Sequence, residues 1–428
     1  MKHFAVIGAG ITGVTTAYSL LNRGYQVTVF DRHRYAAMQT SFANGGQLSA
    51  SNAEVWNQLS TIIKGIRWMF KRDAPLLVNP SPSWQKLSWM AEFVSNINRY
   101  EQNTIETTRL AIAAREHLFN WARRENIDFD HETRGILHIY ANQKGFDHAA
   151  RVNGLLARGG LERRSVTPDE MRAIEPALRG NFYGGFFTPS DSTGDIHKFT
   201  RGLATACVKR GVRFVHEAHV EQLSHQSEAI LVGWNSVIEC DANKRMNTEK
   251  FDGVVVCAGI ESRRLAAQLG DRVNVYPVKG YSITVDLDDV ASREAAPWVS
   301  LLDDDAKIVT SRLGENRLRV AGTAEFNGVN YDIRNDRIEP LVAWCRRLFP
   351  AMGTDRVVSW AGLRPMLPDM LPRVGAGKRP GVFYNTGHGH LGWTLSAMTA
   401  EMVAEVVDSK LNAERPRHGV AGLSGVPA

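Results

Sequence analysis

The amino-acid sequence predicts an α/β fold in two domains, and three observations carry that expectation. The chain is 428 residues long, past the size at which one hydrophobic core usually splits. It opens on an apolar run, a glycine-rich turn, an amphipathic stretch and a second apolar run. Its later half carries short strand-like runs at 277–281, 307–311 and 317–321 that read as a β-rich second domain.

The opening unit is the most specific element. Residues 3–7 (HFAVI) form a continuous apolar run, as a buried strand requires. Gly8-Ala9-Gly10-Ile11-Thr12-Gly13 then turns the chain into a helix over about 11–23, with Val14, Ala17, Tyr18 and Leu21 inward and Gly24 as its C-cap. Residues 26–30 form the next strand, ending at Asp31. Gly8 permits the tight turn, Gly10 lets backbone approach a pyrophosphate, and Gly13 lets helix and strand pack closely. The helix N-terminus offers free N–H groups and partial positive charge, and a carboxylate at Asp31 can accept ribose hydroxyls. Together these features point to a Rossmann-like dinucleotide site; the glycines alone would be equally compatible with a structural turn.

No second strand–helix repeat of the dehydrogenase kind follows Asp31. A polar loop comes instead, with Thr40-Ser41 and Ala43-Asn44-Gly45-Gly46-Gln47. A second candidate cofactor element lies far off, near the C-terminus. That pairing favours a long, permanently held cofactor, FAD, over NAD.

Composition limits the rest. With 43% hydrophobic and 22% charged residues, the chain is ordinary globular protein. A net charge of +6 and a pI near 9.1 suit an anionic cofactor, an acidic substrate or an anionic membrane surface. The absence of a Lys/Arg block argues against nucleic acid. Cys207, Cys240, Cys257 and Cys345 are too dispersed for a zinc knuckle or a disulfide framework, so reduced buried thiols in a cytoplasmic protein are expected. Lys2 and His3 before an apolar run imitate a signal sequence, but glycines cut the run and a strand follows, so no cleavage is expected. No stretch is apolar enough to span a bilayer. The expected location is the cytoplasm, either soluble or peripheral on the inner face of the membrane, and nothing specifies an oligomeric state.

The middle of the chain is mostly scaffold. In 64–98, Trp68, Met69, Phe70, Trp84, Trp89, Met90 and Phe93 interleave with Lys64, Arg67, Lys71, Arg72 and Lys86. Such a stretch suits membrane headgroups or an apolar electron acceptor; two amphipathic helices packed on the protein, with solvated lysines, are the plainer and favoured explanation. A long helix is expected over 101–126, and Thr167-Pro168-Asp169-Glu170 reads as a capping box. A helix over 197–210, a strand at 212–215 and a meander through 220, 230–234 and 237–240 follow. The strand at 252–257 ends in Ala258-Gly259, small residues that let backbone pass close to a cofactor. A helix is expected over 338–348, and the tail after 413 reads as loose.

Two late segments carry unusual chemistry. In WAGLRPMLPD (360–369), Arg364 is fixed between Gly362 and Pro365, and its planar fork suits a bidentate carboxylate. A surface arginine paired with Asp369 is the plain alternative. In NTGHGHLGWT (385–394), alternating glycines open a helix whose N-terminus can stabilise negative charge on a reduced flavin. His388 and His390 have no third partner for a metal, so no metal is expected.

These segments, with TSFANGGQLS at 40–49, KGIRWMFKRDAPL at 64–76, TGD at 193–195 and YPVKGYSIT at 276–284, resemble the D-amino-acid dehydrogenase small-subunit family. The resemblance covers nearly the whole chain and extends to amine-oxidising flavoproteins such as glycine oxidase and sarcosine oxidase. It implies a Rossmann-like FAD-binding domain assembled from 1–56, 150–272 and 353–428. It also implies an α+β substrate domain from 57–149 and 273–352, with a mainly antiparallel sheet over the flavin. It implies FAD-dependent oxidative deamination of a D-amino acid, with electrons passing to a quinone or respiratory acceptor. Arg364 is then the carboxylate anchor and Tyr281 the substrate-side wall; with His390 they are the candidate catalytic residues. The cofactor-binding candidates are Gly8, Gly10, Ile11, Thr12, Gly13, Asp31, Arg32, Thr40, Ser41, Asn44, Gly45, Gly46, Gln47, Val220, Ala258, Gly259, Gly387, His388, Gly389, Leu391 and Gly392.

The chain departs from that family in two places. ASNAEVW at 50–56 replaces a Pro/Gly-containing run, and His390 stands where threonine is usual. Both touch the expected substrate pocket. D-hydroxyproline or another cyclic amine, D-arginine, an oxygen-using glycine or sarcosine oxidase, and a non-catalytic flavin subunit therefore stand as alternatives.

Overall fold

The computed structural model describes residues 1–59, 61, 63, 76–227, 229–238 and 246–414, with side chains as far as 411. His3–Ile7 forms the centre of a six-stranded sheet. The strand order is Arg373–Ala376, Val382–Thr386, Gly253–Val256, His3–Ile7, Gln26–Phe30, Arg213–Val215. All neighbours are parallel except the first pair. Phe4, Ala5 and Val6 are fully buried because both faces of the sheet are covered, which is why the run is continuously apolar. One face packs on the helices Ile11–Asn22, Ile196–Lys209 and Gly392–Glu414, through Val14, Leu203, Ala397 and Ala400. The other packs on the antiparallel meander Ala218–Gln226, Ala229–Ser236 and Asn247–Phe251 through Val220, Ile230 and Val232.

The meander differs from the expected one. Its second strand stops at Ser236, leaving Val237 and Ile238 exposed, and its third is the polar edge strand Asn247–Phe251. An edge with one solvated face needs no apolar pattern, so the sequence does not advertise it.

A second, nine-stranded sheet is mainly antiparallel, as expected. Val357–Met366, Tyr276–Asp286, Arg317–Phe326, Ile308–Arg312, Ser300–Asp303, Ile136–Tyr140, Gly184–Thr188 and Arg164–Val166 follow in order, and Leu76–Val78 pairs beside Arg317–Phe326. Helix Asn335–Leu348 backs it through Ile338, Leu341 and Leu348 against Ile283, Val285 and Val320. The expected segment boundaries need correction here. Arg164–Val166, Gly184–Thr188 and Val357–Met366 fall within the segments expected to bind the nucleotide, yet ladder hydrogen bonds join all three to the nine-stranded sheet. Pairing partners far away in sequence, not local pattern, decide a strand's sheet.

Local signals fare better. Thr167 and Glu170 make the expected reciprocal cap, at 2.7 and 3.3 Å. Cys207, Cys257 and Cys345 are free and buried, and burial pushes each thiol up to about 12; Cys240 lies outside the described residues. Of the aromatic–basic stretch, 64–75 lies outside them too, as does the tail from 415. The remainder forms helix Trp84–Ser95, which buries Trp89 and Phe93. Lys86, expected to be solvated, is buried instead, its Nζ donating to the carbonyls of Asn79 and Ser81. No helix among the described residues is long and apolar enough to cross a membrane.

Candidate active site

A single cavity runs from the glycine turn to the nine-stranded sheet. At the turn, backbone meets backbone. Gly8 has φ +105°, and a Cβ on it would lie 2.7 Å from the Cys257 carbonyl oxygen. A Cβ on Gly13 would lie 1.8 Å from the Gly8 carbonyl oxygen. Gly13 therefore packs behind the turn, while Gly8, Gly10, Ile11 and Thr12 line the cavity. The helix has no side-chain cap at Gly10. Ser41 Oγ accepts from Ile11 N–H at 3.0 Å. Asp31 is held at the strand end by Ala9 N–H at 2.6 Å and His33 N–H at 2.8 Å, one to each carboxylate oxygen. Lone pairs remain on both. Arg32, Thr40, Val220, Ala258 and Gly259 line the same end.

Residues 43–47 lie against the nine-stranded sheet and bring the two sheets together over the cavity. The carbonyls of Ala43, Asn44 and Gly45 accept from Ser282 Oγ, Arg319 Nη1 and Ser311 Oγ at 2.7, 3.1 and 2.6 Å. Gln47 Nε2 donates to Ser300 Oγ at 2.8 Å and to the Leu301 carbonyl at 3.1 Å. A Cβ on Gly45 would press within 2.7 Å of Val309. Gly46 takes φ +75°, with its N–H on Asn44 Oδ1 at 2.9 Å. Asn44, Gly45, Gly46 and Gln47 all border the cavity.

The chain then enters the wall of the pocket under tight control. Asp191 is buried and accepts from the N–H groups of Ala50 and Ser51 at 3.0 and 3.1 Å, with Arg115 as its ion-pair partner. Burial raises its pKa, and Arg115 and these donors oppose the rise. Ser51 Oγ also bonds His138 Nε2 at 2.9 Å.

From the other side, the loop before helix Gly392–Glu414 enters with Gly387 at φ +80° and Gly389 at φ +57°. A Cβ on Gly387 would lie 2.4 Å from Leu367 Cδ1. Gly387, His388, Gly389, Leu391 and Gly392 line the cavity at the N-terminus of that helix. His388 Nε2 bonds Thr399 Oγ1 at 2.9 Å, and burial pushes its pKa down to about 3. His390 is pushed down to about 4, by burial first, with Arg364 adding to the effect against the Asn52 carbonyl. Its Nε2 donates to that carbonyl at 3.3 Å, so Nδ1 keeps a lone pair. Its ring stacks on Trp56 at 4.9 Å and 18°.

Arg364 reaches the cavity from strand Val357–Met366, opposite Val278. Its side chain lies across Gly280, where a Cβ would come within 2.3 Å of Nη2. Nη1 donates to the Thr323 carbonyl at 2.9 Å. No carboxylate among the described residues pairs with it, and the expected alternative partner, Asp369, is not bonded to it. Burial pushes its pKa down to about 10. An uncompensated buried cation is costly. This one faces a cavity.

Tyr281 borders the cavity, as expected of a wall residue, with its hydroxyl turned to a protein partner. Its ring belongs to the core cluster with Ile283 and Leu341, and its hydroxyl donates to Glu325 Oε2 at 2.8 Å. The strand's alternation puts Gly280, not Tyr281, beneath Arg364. Sequence reasoning missed Thr323, Trp360, Tyr100, His148 and Lys307. Thr323 holds φ +62°, uncommon for a β-branched residue, and its buried hydroxyl has no partner among the described residues. Trp360 opens the 360–369 segment without a role read from it, and no motif marks the other four.

The family model for DAO, FAD dependent oxidoreductase, matches residues 3–406. The chain belongs to this family of FAD-dependent oxidoreductases. It is 65% identical to "D-amino acid dehydrogenase 3" of Mesorhizobium japonicum, over 96% of this chain and 98% of that one. It is 40% identical to "D-amino acid dehydrogenase" of Paramagnetospirillum magneticum, over 95% of each. Among solved structures, glycine oxidase from Geobacillus kaustophilus shares the fold, with a TM-score of 0.73 at 19% identity, over 96% of this chain and 95% of that one. FAD is the cofactor of the family, and the cavity suits it. The glycine cradle would be filled by any Cβ at Gly8, the N-terminus of Ile11–Asn22 has no cap from its own N-cap residue, and Asp31 retains acceptor capacity.

Proposed function

We propose that this FAD-dependent oxidoreductase oxidises a D-amino acid to the imino acid, which water then hydrolyses to a 2-oxo acid and ammonia. The observation that carries the reading is Arg364: a buried guanidinium with one backbone acceptor, no counter-ion among the described residues, and a cavity before it. A substrate carboxylate is the partner such a group lacks. The glycine turn, Asp31, 40–47, Ala258-Gly259 and the 387–392 loop hold the cofactor. Bound FAD supplies the hydride acceptor.

Arg364 fixes the carboxylate and so orients the α-carbon hydrogen. The amine must be neutral before the α C–H bond breaks, because its lone pair forms the C=N bond as hydride leaves. Burial disfavours the ammonium form of the bound amine. Neutral His390, with Nδ1 unprotonated, offers an acceptor to an amine N–H. Tyr281 plays no direct part; its hydroxyl is already engaged.

Electrons then pass to a quinone or respiratory acceptor, and the protein works in the cytoplasm, against the inner face of the membrane. Helix Trp84–Ser95 supports this docking, with Trp84, Leu87 and Val94 at 78%, 51% and 50% exposure. Purified protein that ignores liposomes and quinones but reduces oxygen quickly would remove this part.

Anaerobic bleaching of the FAD spectrum by a panel of D- and L-amino acids tests the central reading; a spectrum unmoved by every D-amino acid defeats it. Arg364→Ala should keep its yellow FAD and lose about 3–5 kcal/mol of substrate binding, two to nearly four orders of magnitude in kcat/KM. Loss of FAD from this variant would show that Arg364 serves the cofactor instead.

A further inference from the structure

We propose that the substrate pocket has a distal subsite on Glu54, which takes a hydrogen-bond donor, hydroxyl or amine, at the far end of the substrate's side chain. The inference rests on the reading of the cavity as an amino-acid oxidising site and narrows its substrate class.

The segment after the Asp191 anchor runs extended along the wall. Asn52, Glu54, Trp56 and Gln58 are partly accessible and border the cavity together with the buried Val55, while Ala53 and Asn57 are buried behind them. This is the two-residue alternation of an extended chain. Its near end touches the reacting region. Asn52 holds His390, Trp56 stacks on it, and the adjacent Gly389 N–H donates to the Pro365 carbonyl, next to Arg364, at 2.9 Å. An amino acid anchored on Arg364 therefore lays its side chain along the aromatic wall toward Glu54.

Glu54 is asymmetrically satisfied. Oε1 accepts from Gln58 Nε2 at 2.6 Å and Tyr100 hydroxyl at 2.7 Å, and lies 3.2 Å from His148 Nε2. Oε2 has no protein donor among the described residues. The three partners on Oε1 fix the carboxylate's orientation and leave the second oxygen to the cavity, with the side chain 28% accessible. The nearby cation makes its hydrogen bond elsewhere: Lys307, on the same cavity, donates its Nζ to Asp304 at 2.5 Å and is attracted to Glu54 only through space. Water can serve Oε2 in the free protein. A substrate that expels this water must replace its hydrogen bond or leave an ionised oxygen dry. Alkyl side chains fail there; side chains ending in O–H or N–H succeed. Discrimination by an unpaired polar group in a pocket exceeds that of apolar fit.

The test uses the FAD-loaded protein and matched substrate pairs: D-proline against 4-hydroxy-D-proline for the hydroxyl, and D-norvaline against D-ornithine for the amine. At least one donor-bearing member should exceed its alkyl partner in kcat/KM by about 10- to 100-fold, chiefly through KM. The pair that shows it identifies the donor. Glu54→Gln, checked for its FAD spectrum, should shrink that ratio about tenfold or more. Alkyl members as good as or better than both donors would overturn the proposal from the wild type alone, whatever the variant's folding. An unchanged ratio in folded Glu54→Gln would overturn it too. Turnover of D-amino acids with no donor preference would leave the general reading standing; no bleaching by any member would remove both.

Discussion

The two ends of the cavity are made of different material. At the glycine turn the decisive groups are backbone: Gly8 and Gly13 within contact distance of other main chain, helix N–H groups, and one carboxylate aligned by two amides. At the substrate end they are side chains delivered from distant segments: Arg364 over Gly280, His390 against Trp56, Glu54 tied to Tyr100 and His148. A backbone device must be written locally, because only consecutive residues can set consecutive dihedrals. A side-chain device can be assembled from any strands that happen to pair. Substitutions at the first end should thus damage cofactor and fold together, and substitutions at the second should separate them.

The largest effect should come from Gly13→Ala. The new methyl would sit 1.8 Å from the Gly8 carbonyl, and neither backbone can yield without moving helix Ile11–Asn22 off the central strand. The protein should lose FAD and, with it, the stability that binding confers, at least several kcal/mol at micromolar FAD. Size-exclusion chromatography with visible absorbance checks this. A yellow, active Gly13→Ala protein would break the distinction between the two ends.

Gly280→Ala tests the other end. Its methyl would fall 2.3–2.4 Å from three guanidinium atoms of Arg364, and a side chain can swing away where a backbone cannot. FAD and fold should survive, while the displaced anchor raises KM about 10- to 100-fold, part of the cost of losing a buried ion pair. Titration of flavin bleaching against substrate measures it. Equal loss of FAD in both glycine variants would mean that the two ends are one cooperative unit.

This difference also explains what could be read from the chain. The opening turn, the strand at 26–30, Asp31 and the capping box at Thr167 follow from short-range stereochemistry, and each appears where the pattern put it. Arg364 was legible because Gly362 and Pro365 confine it locally. The sheet membership of 164–166, 184–188 and 357–366 was not legible, since it depends on pairing partners outside each local pattern, the partner of 357–366 lying in 276–286, and on register throughout. The surroundings of Tyr281 were not legible for the same reason: its motif is local, but its neighbours are set by the register shift between Lys279 and Tyr281 opposite Arg317–Phe326. Trp56 and Glu54 carried a faint signal in the alternation of 52–58, without the wall they line.

Histidines at the junction of the two ends give a smaller, pH-dependent effect. His388 and His390 have folded pKa values near 3 and 4, both lowered by burial. The unfolded chain takes up their protons below about 6.5 and the folded chain does not. The stability they allow is full above that pH and falls as pH drops toward 4, by about 2 kcal/mol for each at pH 5. Tm measured between pH 7.5 and 5 should decline, and His388→Gln should flatten the decline. Neither histidine should contribute an ionisation to kcat/KM between about pH 5 and 9. An imidazole pKa near 6.5 in that profile would show that the substrate end is wetter than its packing implies.

The smallest effect is expected at Thr323, where the substrate end borrows the logic of the cofactor end. Its carbonyl accepts from Arg364 because the backbone bends to φ +62°, a conformation that costs a β-branched residue roughly 1–2 kcal/mol. Its buried hydroxyl has no partner among the described residues, and Thr323 borders the cavity. Thr323→Gly removes the strain and the orphan hydroxyl together while leaving the carbonyl in place. The variant should gain about 1 kcal/mol in chemical denaturation, net of glycine's extra unfolded-state freedom. It should also bind substrate a few-fold more weakly, as the loss of a single neutral hydrogen bond predicts. Higher stability with weaker binding would mean that strain at Thr323 is held in place by its service to the carboxylate site. Higher stability with unchanged binding would mean that the carbonyl alone steers Arg364.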